Sequence, residues 1–148
     1  MHFARLAALA TALTMLAAPA FAQMSPEDMT AQIEQVHGNS AQFADAFDDV
    51  TAAMRDGDID TVASYGSYPF QVAANGELYD IFQESDFTDN WDALLLPATI
   101  EAIGDQDYGS LIVSSDGIGF ADGAMWMNFV CDDETCTGGD WLITRITN

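Results

Sequence analysis

Three aspartates alternate around a glycine in the stretch MRDGDIDT, which looks like the start of a calcium-binding loop. An EF-hand loop needs acids at its first, third and fifth positions, glycine at its sixth and a bidentate acid at its twelfth. Counted from Asp56, the sixth position is Thr61 and the twelfth is Ser67, so two defining elements are missing. The same letters fit a helix junction in which Gly57 ends one helix and Asp58 caps the next. We expect that junction, without a metal.

Other chemistry-bearing groups are sparse. Clustered carboxylates at 132–134 and 140 leave open a weak site for a hard cation, although charged hairpin tips are usually only solvated. His37 is the one histidine beyond residue 22, which argues against a zinc site built from ordinary His and Cys ligands. The chain lacks a G-x-S-x-G motif, so hydrolase machinery is not expected either. The sequence predicts no metal, no cofactor and no catalytic residue.

The two cysteines, Cys131 and Cys136, enclose the short loop CDDETC. A disulfide between them would close a small loop and contribute about 2 kcal/mol in the loop-entropy model. A redox pair is the weaker alternative, because the spacing differs from C-x-x-C and no cation in the loop would stabilise a thiolate. We predict a structural disulfide.

The first 22 residues have the organisation of a secretory signal peptide. Arg5 precedes an apolar run, and the segment ends in the small-x-small pattern Ala20-Phe21-Ala22. Cleavage is expected before Gln23, and a retained anchor is the alternative. No later stretch approaches the roughly 20 apolar residues of a membrane span. The sequence therefore predicts a periplasmic or secreted protein, which agrees with the predicted disulfide.

Charge restricts the partners. The chain has 24 acidic residues and three basic ones, and it contains no lysine. Loss of Arg5 with the signal leaves Arg55 and Arg145, so the mature chain has a net charge of about −22. Nucleic acid and anionic membranes require several cationic contacts and are excluded as partners. A neutral or cationic small molecule or a basic protein is easier to accommodate, while a merely solvating acidic surface is the simplest reading.

Helices are predicted in the first half of the mature chain. Ser25 and Pro26 begin a short helix, and apolar spacing from Ser40 predicts an amphipathic helix of about sixteen residues. A short helix to Tyr65 follows the Gly57–Asp58 junction. Residues 68–72 then suggest an edge strand because they contain proline, and Asn-Gly at 75–76 predicts a hairpin into residues 78–81.

The second half is predicted to be rich in strands. A helix is expected over residues 86–96, interrupted or restarted by Pro97. Strands are expected over 111–113, 124–131 and 141–147, and the glycine-rich stretch 115–123 is interpreted as a link with a bulge or tight turn. We divide the chain into a signal peptide (1–22), a helical lead-in (23–39) and one domain (40–148).

This order predicts an α+β fold, with N-terminal helices packed on a curved antiparallel sheet. The segments FADAFDDVTAAMRDGDIDTVASYGSYPFQV, DGIGFADGAMWMNFV and WLITRIT resemble the nuclear transport factor 2-like superfamily. That superfamily shares the cone-shaped α+β roll of ketosteroid isomerases and SnoaL-type cyclases. The resemblance spans about 105 residues from Ser40 onward and implies the fold more than an activity. It also implies that a homodimer could form through the sheet.

In ketosteroid isomerases of this superfamily, a carboxylate base lies on the first strand after the second helix. Residues 68–74 contain no acid here, which argues against isomerase chemistry. A displaced base, such as Asp107 or Asp122, keeps a cyclase- or isomerase-type enzyme as the second hypothesis. The candidate pocket residues are aromatic side chains with one polar neighbour: Tyr65, Tyr68, Trp91, Trp126 and Asn128.

Three functions follow as hypotheses. The leading one is an exported, non-catalytic protein that binds a small ligand or a partner protein through its cavity or its sheet. The second is the displaced-carboxylate enzyme. The third is an acidic inhibitor or immunity-type protein that presents its charge to a basic partner. A hollow interior facing a buried acid would favour the enzyme, and a filled interior with an exposed sheet face would favour the binding protein.

Overall fold

The structure is a computed structural model that describes residues 23–148, so the predicted signal peptide lies outside the described residues. Its helices are α1 (Pro26–Val36), α2 (Ser40–Asp56), α3 (Ile59–Ser64), α4 (Glu84–Thr88), α5 (Trp91–Leu94) and α6 (Pro97–Gly104). Its strands are β1 (Gly66–Ala74), β2 (Glu77–Ile81), β3 (Ile112–Ser114), β4 (Gly117–Phe120), β5 (Met125–Cys131) and β6 (Gly139–Thr147). Short 3₁₀ turns cover Tyr108–Ser110 and Ala121–Gly123. Over residues 23–148, no helix has the length and apolarity that crossing a membrane requires.

All six strands form one curved sheet in the order β2-β1-β6-β5-β4-β3. The predicted α+β class, with helices packed on a sheet, is confirmed. The sheet is mixed, however, because β1 and β6 run parallel, with Val72 opposite Ile146, while the other neighbours are antiparallel. The Asn75-Gly76 hairpin is confirmed, and both residues adopt the positive φ angles that its tight turn needs.

The prediction that β1 is an edge strand was wrong. β1 lies between β2 and β6 and is paired on both sides. Its pairing with β6 shifts in register between Gly66 and Gln71, and Pro69 lies within that irregular stretch. A proline, which donates no backbone hydrogen bond, is compatible with an internal strand at such a break in the ladder.

The glycine-rich stretch predicted as a link instead contains a strand, β4. Glycine is a poor strand former by itself, so the sequence pattern did not reveal it. The missing side chain has a structural reason at Gly119, where an added Cβ would lie 3.3 Å from the Trp126 ring. The absence of a side chain therefore leaves room for a large residue on the neighbouring strand.

The helix predicted over 86–96 is divided into α4 and α5. The Asn90 side-chain amide donates to the carbonyl of Asp86 at 2.9 Å, a local bond that competes with regular helix geometry. Pro97 then begins α6 at a position that requires no backbone donor. The alternative in which Pro97 restarts a helix is confirmed.

Aromatic side chains fill the space between the helices and the inner face of the sheet. Phe43 and Phe47 of α2 meet Phe120 of β4 and Trp141 of β6, and all four are buried. The ring centroids are 5.0 Å apart for Phe43 and Trp141 and 5.7 Å apart for Phe47 and Phe120. Helix α1 adds buried Met29 and Ile33 to the same core, so the lead-in packs with the domain.

The stretch MRDGDIDT forms the expected helix junction. Gly57 ends α2 in the left-handed conformation, with φ at 70°. Asp58 caps α3 and accepts from the Thr61 backbone N–H at 3.2 Å and from its hydroxyl at 2.7 Å. The hydroxyl bond contributes most to lowering the pKa of Asp58. The carboxylate is thus used for capping.

Replacing Gly57 by alanine tests the junction. An added Cβ would contact nothing within 4 Å, so the cost comes from the left-handed backbone alone. We expect Gly57→Ala to lower the free energy of unfolding by about 1 kcal/mol, measured by urea denaturation with or without calcium. Gly57→Asn is the matched control and should lose less, because asparagine tolerates this conformation. Equal stability of all three proteins would contradict the assignment.

The predicted disulfide is confirmed between Cys131 and Cys136, which bridge the turn between β5 and β6. Because the closed loop is short, replacing both cysteines by serine should lower the free energy of unfolding by only about 2 kcal/mol. Urea denaturation of the oxidised protein and the double variant measures this difference. A loss of more than about 4 kcal/mol would show that the loop-entropy account is incomplete.

Candidate functional site on the outer face of the sheet

One row of residues crosses the whole sheet in register. Each member lies opposite the next on the neighbouring strand, from β2 at one edge to β3 at the other. The row, called here the outer row, consists of Asp80, Gln71, Arg145, Trp126, Gly119 and Ile112. Cross-strand neighbours of this kind lie within side-chain contact distance. The outer row is therefore a continuous strip across all six strands, in which Gly119 is buried beside the Trp126 ring and the other five residues are accessible.

The strip lies on the face of the sheet opposite the aromatic core. In β5, Met125 and Met127 are fully buried, whereas Trp126 and Asn128, which alternate with them, are half-buried. Successive side chains of a strand point to opposite faces. Trp126 and Asn128 therefore belong to the outer face and not to an interior cavity.

A bulge in β6 places two consecutive polar residues on this outer face. The pairing of β5 with β6 shifts in register between Trp126 and Met127, which leaves Thr144 as the extra residue. Ile143 and Ile146 on either side are buried, while Thr144 and Arg145 are accessible. Beyond the bulge, the side chains of β6 again alternate between the core and the outer face. One strand therefore supplies residues both to the core and to the centre of the outer row.

Trp126 and Arg145 form the centre of the row. The guanidinium carbon of Arg145 lies 5.1 Å from the centroid of the Trp126 ring, within the range of a cation–π interaction. The indole Nε1 donates to the carbonyl of Gly123 at 2.9 Å, and the ring lies beside Gly119. The indole is held at both its edge and its face, which fixes its orientation.

Polar neighbours are tied to each other on both sides of this centre. The Gln71 amide donates to the Asp80 carboxylate at 2.9 Å, and the Asn128 amide donates to the Thr144 hydroxyl at 2.8 Å. Among described side chains that are not exposed, no fully buried nitrogen or oxygen lacks a partner. The outer face is thus ordered before any ligand arrives, which lowers the entropic cost of binding.

The other three predicted pocket residues lie on the helix side. Tyr65 donates its hydroxyl to Asp49 at 2.8 Å, and Tyr68 donates to the carbonyl of Ala63 at 2.8 Å. Trp91 is buried, with its ring centroid 5.3 Å from that of Phe87. In the described structure the five residues therefore divide into two groups, with Trp126 and Asn128 together on the outer face.

Tyr65 borders an open cleft of about 220 Å³ together with Asp45 and Asp140. Burial raises the pKa of Tyr65 to about 12, assisted by its bond to Asp49 and by the charges of Asp45 and Asp140. Burial likewise raises the pKa of Tyr68 to about 12, with a smaller contribution from nearby carboxylates. Both phenols are consequently neutral hydrogen-bond donors around neutral pH.

The two carboxylates considered as a displaced catalytic base are exposed. Asp107 accepts from the backbone N–H of Gly109 at 2.8 Å and so caps a 3₁₀ turn, while Asp122 lies across the same open groove. Carboxylates gain the properties of a general base chiefly through burial or a nearby charge. Their environment gives the enzyme hypothesis no support.

The acidic disulfide loop is organised by its own backbone. Asp133 accepts from the backbone N–H groups of Thr135 and Cys136 at 2.8 and 3.1 Å and from the Thr135 hydroxyl. The Thr135 hydroxyl contributes most to lowering the pKa of Asp133. Between residues 23 and 148 there is no cluster of three or more His, Cys, Asp or Glu side chains arranged to hold a metal ion.

Sequence reasoning named Trp126 and Asn128 as candidates for a cavity and did not name Arg145, Gln71 or Asp80. These residues come together only through strand order and register, which local patterns do not reveal. One available signal was that Arg145 is one of two arginines beyond residue 22. In comparisons with known proteins, no family model, no curated protein and no solved structure matches this chain.

The raised tyrosine pKa values predict a pH-dependent stability. The ordinary pKa is about 10 in the unfolded chain, so folding favours the neutral phenol. This contribution is complete below about pH 10 and is lost as pH rises through the folded-state value of about 12. Urea denaturation between pH 9 and 12 should show falling stability. Absorbance at 295 nm should show late ionisation of Tyr65 and Tyr68, and also of Tyr79, whose pKa is raised by its hydrogen bond to Glu77.

Asp49→Asn supplies the matched control, because it removes a charge beside Tyr65 and leaves the surroundings of Tyr68 intact. It should lower the pKa of one phenol only. Ionisation of every tyrosine near pH 10 in the folded protein would contradict the assignment.

Proposed function

We propose that the mature chain is an exported, non-catalytic binding protein that engages a partner protein through the outer face of its sheet. The observation that carries this proposal is the outer row, with Trp126 and Arg145 paired at its centre. Tryptophan and arginine dominate the binding energy of many protein interfaces. Here they are accessible and adjacent, and the Trp126 indole is held by its bond to the Gly123 carbonyl.

The filled interior supports a surface site over a cavity. A small-molecule site in a cone-shaped fold would need a concave apolar space. Phe43, Phe47 and Trp141 occupy the space between the helices and the sheet, together with the other buried aromatic residues. A protein partner bound to the sheet is therefore favoured over a small ligand inside it.

The charge of the chain favours a basic partner. A net charge of about −22 on the mature chain accelerates association with a cationic protein and repels another acidic one. Exposed charges are screened over about 8 Å at physiological ionic strength, so association should slow markedly as salt is added. The inhibitor or immunity-type role is one form of this proposal.

Export and family membership are further parts of the proposal. The disulfide Cys131–Cys136 and the signal-like residues 1–22 support a periplasmic or secreted location. A nuclear transport factor 2-like fold is supported by the order of helices, hairpin, helices and C-terminal strands. Neither observation bears on catalysis. The two carboxylates considered for the cyclase or isomerase alternative, Asp107 and Asp122, are both exposed.

Native mass spectrometry of the mature protein, purified from the compartment to which it is exported, tests the proposal. We expect a complex with a basic protein. Trp126→Ser and Arg145→Gln should each weaken that complex by at least about 30-fold, the effect of losing roughly 2 kcal/mol at an interface hot spot. Arg55→Gln is the matched control, because Arg55 instead donates to the carbonyl of Gly104 on the helix side.

Four outcomes would contradict the proposal. Detection of the bare monomer alone would show that no partner is bound. A small-molecule adduct would instead indicate that the protein binds a ligand in a cavity. A complex that Trp126→Ser does not weaken would show that the interface lies away from Trp126. A mass of two chains that is lost with Trp126→Ser would instead make the outer face a homodimer interface, contradicting the basic partner.

A further inference from the structure

A second surface lies where strand β2 meets helices α4 and α5. An open groove of about 390 Å³ runs between them, with Ile81 and Leu94 buried at its base. Tyr79, Phe82, Asp86 and Asn90 line its sides. The groove lies along the free edge of the sheet, because β2 is the terminal strand.

The edge of β2 has the properties of a docking strand. A terminal strand leaves one row of backbone N–H and C=O groups without a strand partner, and extended segments can pair there. Beside it, Phe82 is 69% exposed and Leu78 is 61% exposed, the two largest such values among the exposed large apolar residues described. Backbone groups and apolar side chains are therefore available together.

The position of Phe82 is fixed despite its exposure. The Asp86 carboxylate accepts from the Phe82 backbone N–H at 3.2 Å and from the Gln83 side-chain amide at 3.2 Å. Asn90 in turn donates to the carbonyl of Asp86 at 2.9 Å. The turn that follows β2 is thus anchored to α4, so an exposed aromatic ring stands beside a defined groove.

The charge around this groove selects its occupant. Residues 77–94 include no lysine, arginine or histidine but carry six carboxylates: Glu77, Asp80, Glu84, Asp86, Asp89 and Asp92. A second copy of the chain would bring the same six negative charges to the contact. A segment with basic side chains would instead neutralise them. Charge complementarity therefore favours a cationic partner over self-association.

We propose that this groove binds an extended cationic segment of a partner protein, which adds to the sheet as a strand alongside β2. Alternate side chains of a strand point to opposite sides. Basic side chains on the outer side would approach Asp80, and side chains on the other side would enter the groove lined by Phe82 and Asp86. The edge site shares Asp80 with the outer row but does not rest on the proposed role of Trp126 and Arg145.

A fluorescein-labelled ten-residue peptide of alternating lysine and valine provides the test. Its binding to the mature protein is measured by fluorescence anisotropy at 50 and 300 mM salt. We expect saturable binding that weakens with salt, and no binding of the matched peptide with glutamate in place of lysine. N-methylation of alternate backbone amides should weaken binding at least tenfold, since it blocks strand pairing and keeps every charge.

Two exposed apolar residues, one beside β2 and one at the end of α1, give a matched pair of variants. Phe82→Ser should weaken peptide binding at least tenfold, while Val36→Ser, outside both proposed surfaces, should change it by less than twofold. Both side chains are exposed, so both variants should keep the urea midpoint of the parent protein. Asp80→Asn should reduce the salt dependence of the remaining binding.

The proposal is overturned if no peptide binds below 1 mM or if the N-methylated peptide binds equally well. Unchanged binding to Phe82→Ser would place the peptide elsewhere. Binding of lysine methyl ester as tight as that of the peptide would make the groove a small-cation site. If sedimentation velocity shows a dimer that Phe82→Ser converts to monomer, the groove binds a second copy of the chain instead.

Discussion

The parallel pairing of β1 with β6 holds the two halves of the chain together. These strands are separated by the whole segment from residue 75 to residue 138, yet Gln71, Val72 and Ala73 lie opposite Arg145, Ile146 and Thr147. The last strand therefore occupies the interior of the sheet, with β1 on one side and β5 on the other. The outer row depends on this long-range ladder, because Gln71 and Arg145 meet across it.

The central position of β6 connects the core to the surface. Its buried residues Trp141, Ile143 and Ile146 pack towards the helices, and its bulge directs Thr144 and Arg145 to the opposite face. Filling the interior with aromatic rings stabilises the fold and leaves the outer face of the sheet as the surface at which we propose recognition. The edge strand β2 extends that surface, because its carboxylates and Phe82 meet a groove instead of another strand.

Local signals in the sequence predicted the local features. Gly57 and Asp58 marked a helix junction, Asn75-Gly76 marked a hairpin, and the cysteine spacing marked a disulfide, because each depends on a few adjacent residues. The orientation of β5 could not be predicted in this way. One face of β5 carries Met125 and Met127, and the other carries Trp126 and Val130. Both faces are largely apolar, so periodicity does not decide which of them packs against the core. β4 was missed because Gly119 makes room for the neighbouring Trp126, a contact that only strand order reveals.

The central claim is that Trp126 belongs to a recognition surface, whereas Trp91 belongs to the core. Hydroxyl-radical footprinting, read by mass spectrometry, compares the oxidation rate of each tryptophan in the protein alone and in complex with its partner. The account predicts that Trp126 is oxidised readily in the free protein and is protected in the complex, while Trp91 is protected in both. Slow oxidation of Trp126 in the free monomer, or an unchanged rate in the complex, would contradict it.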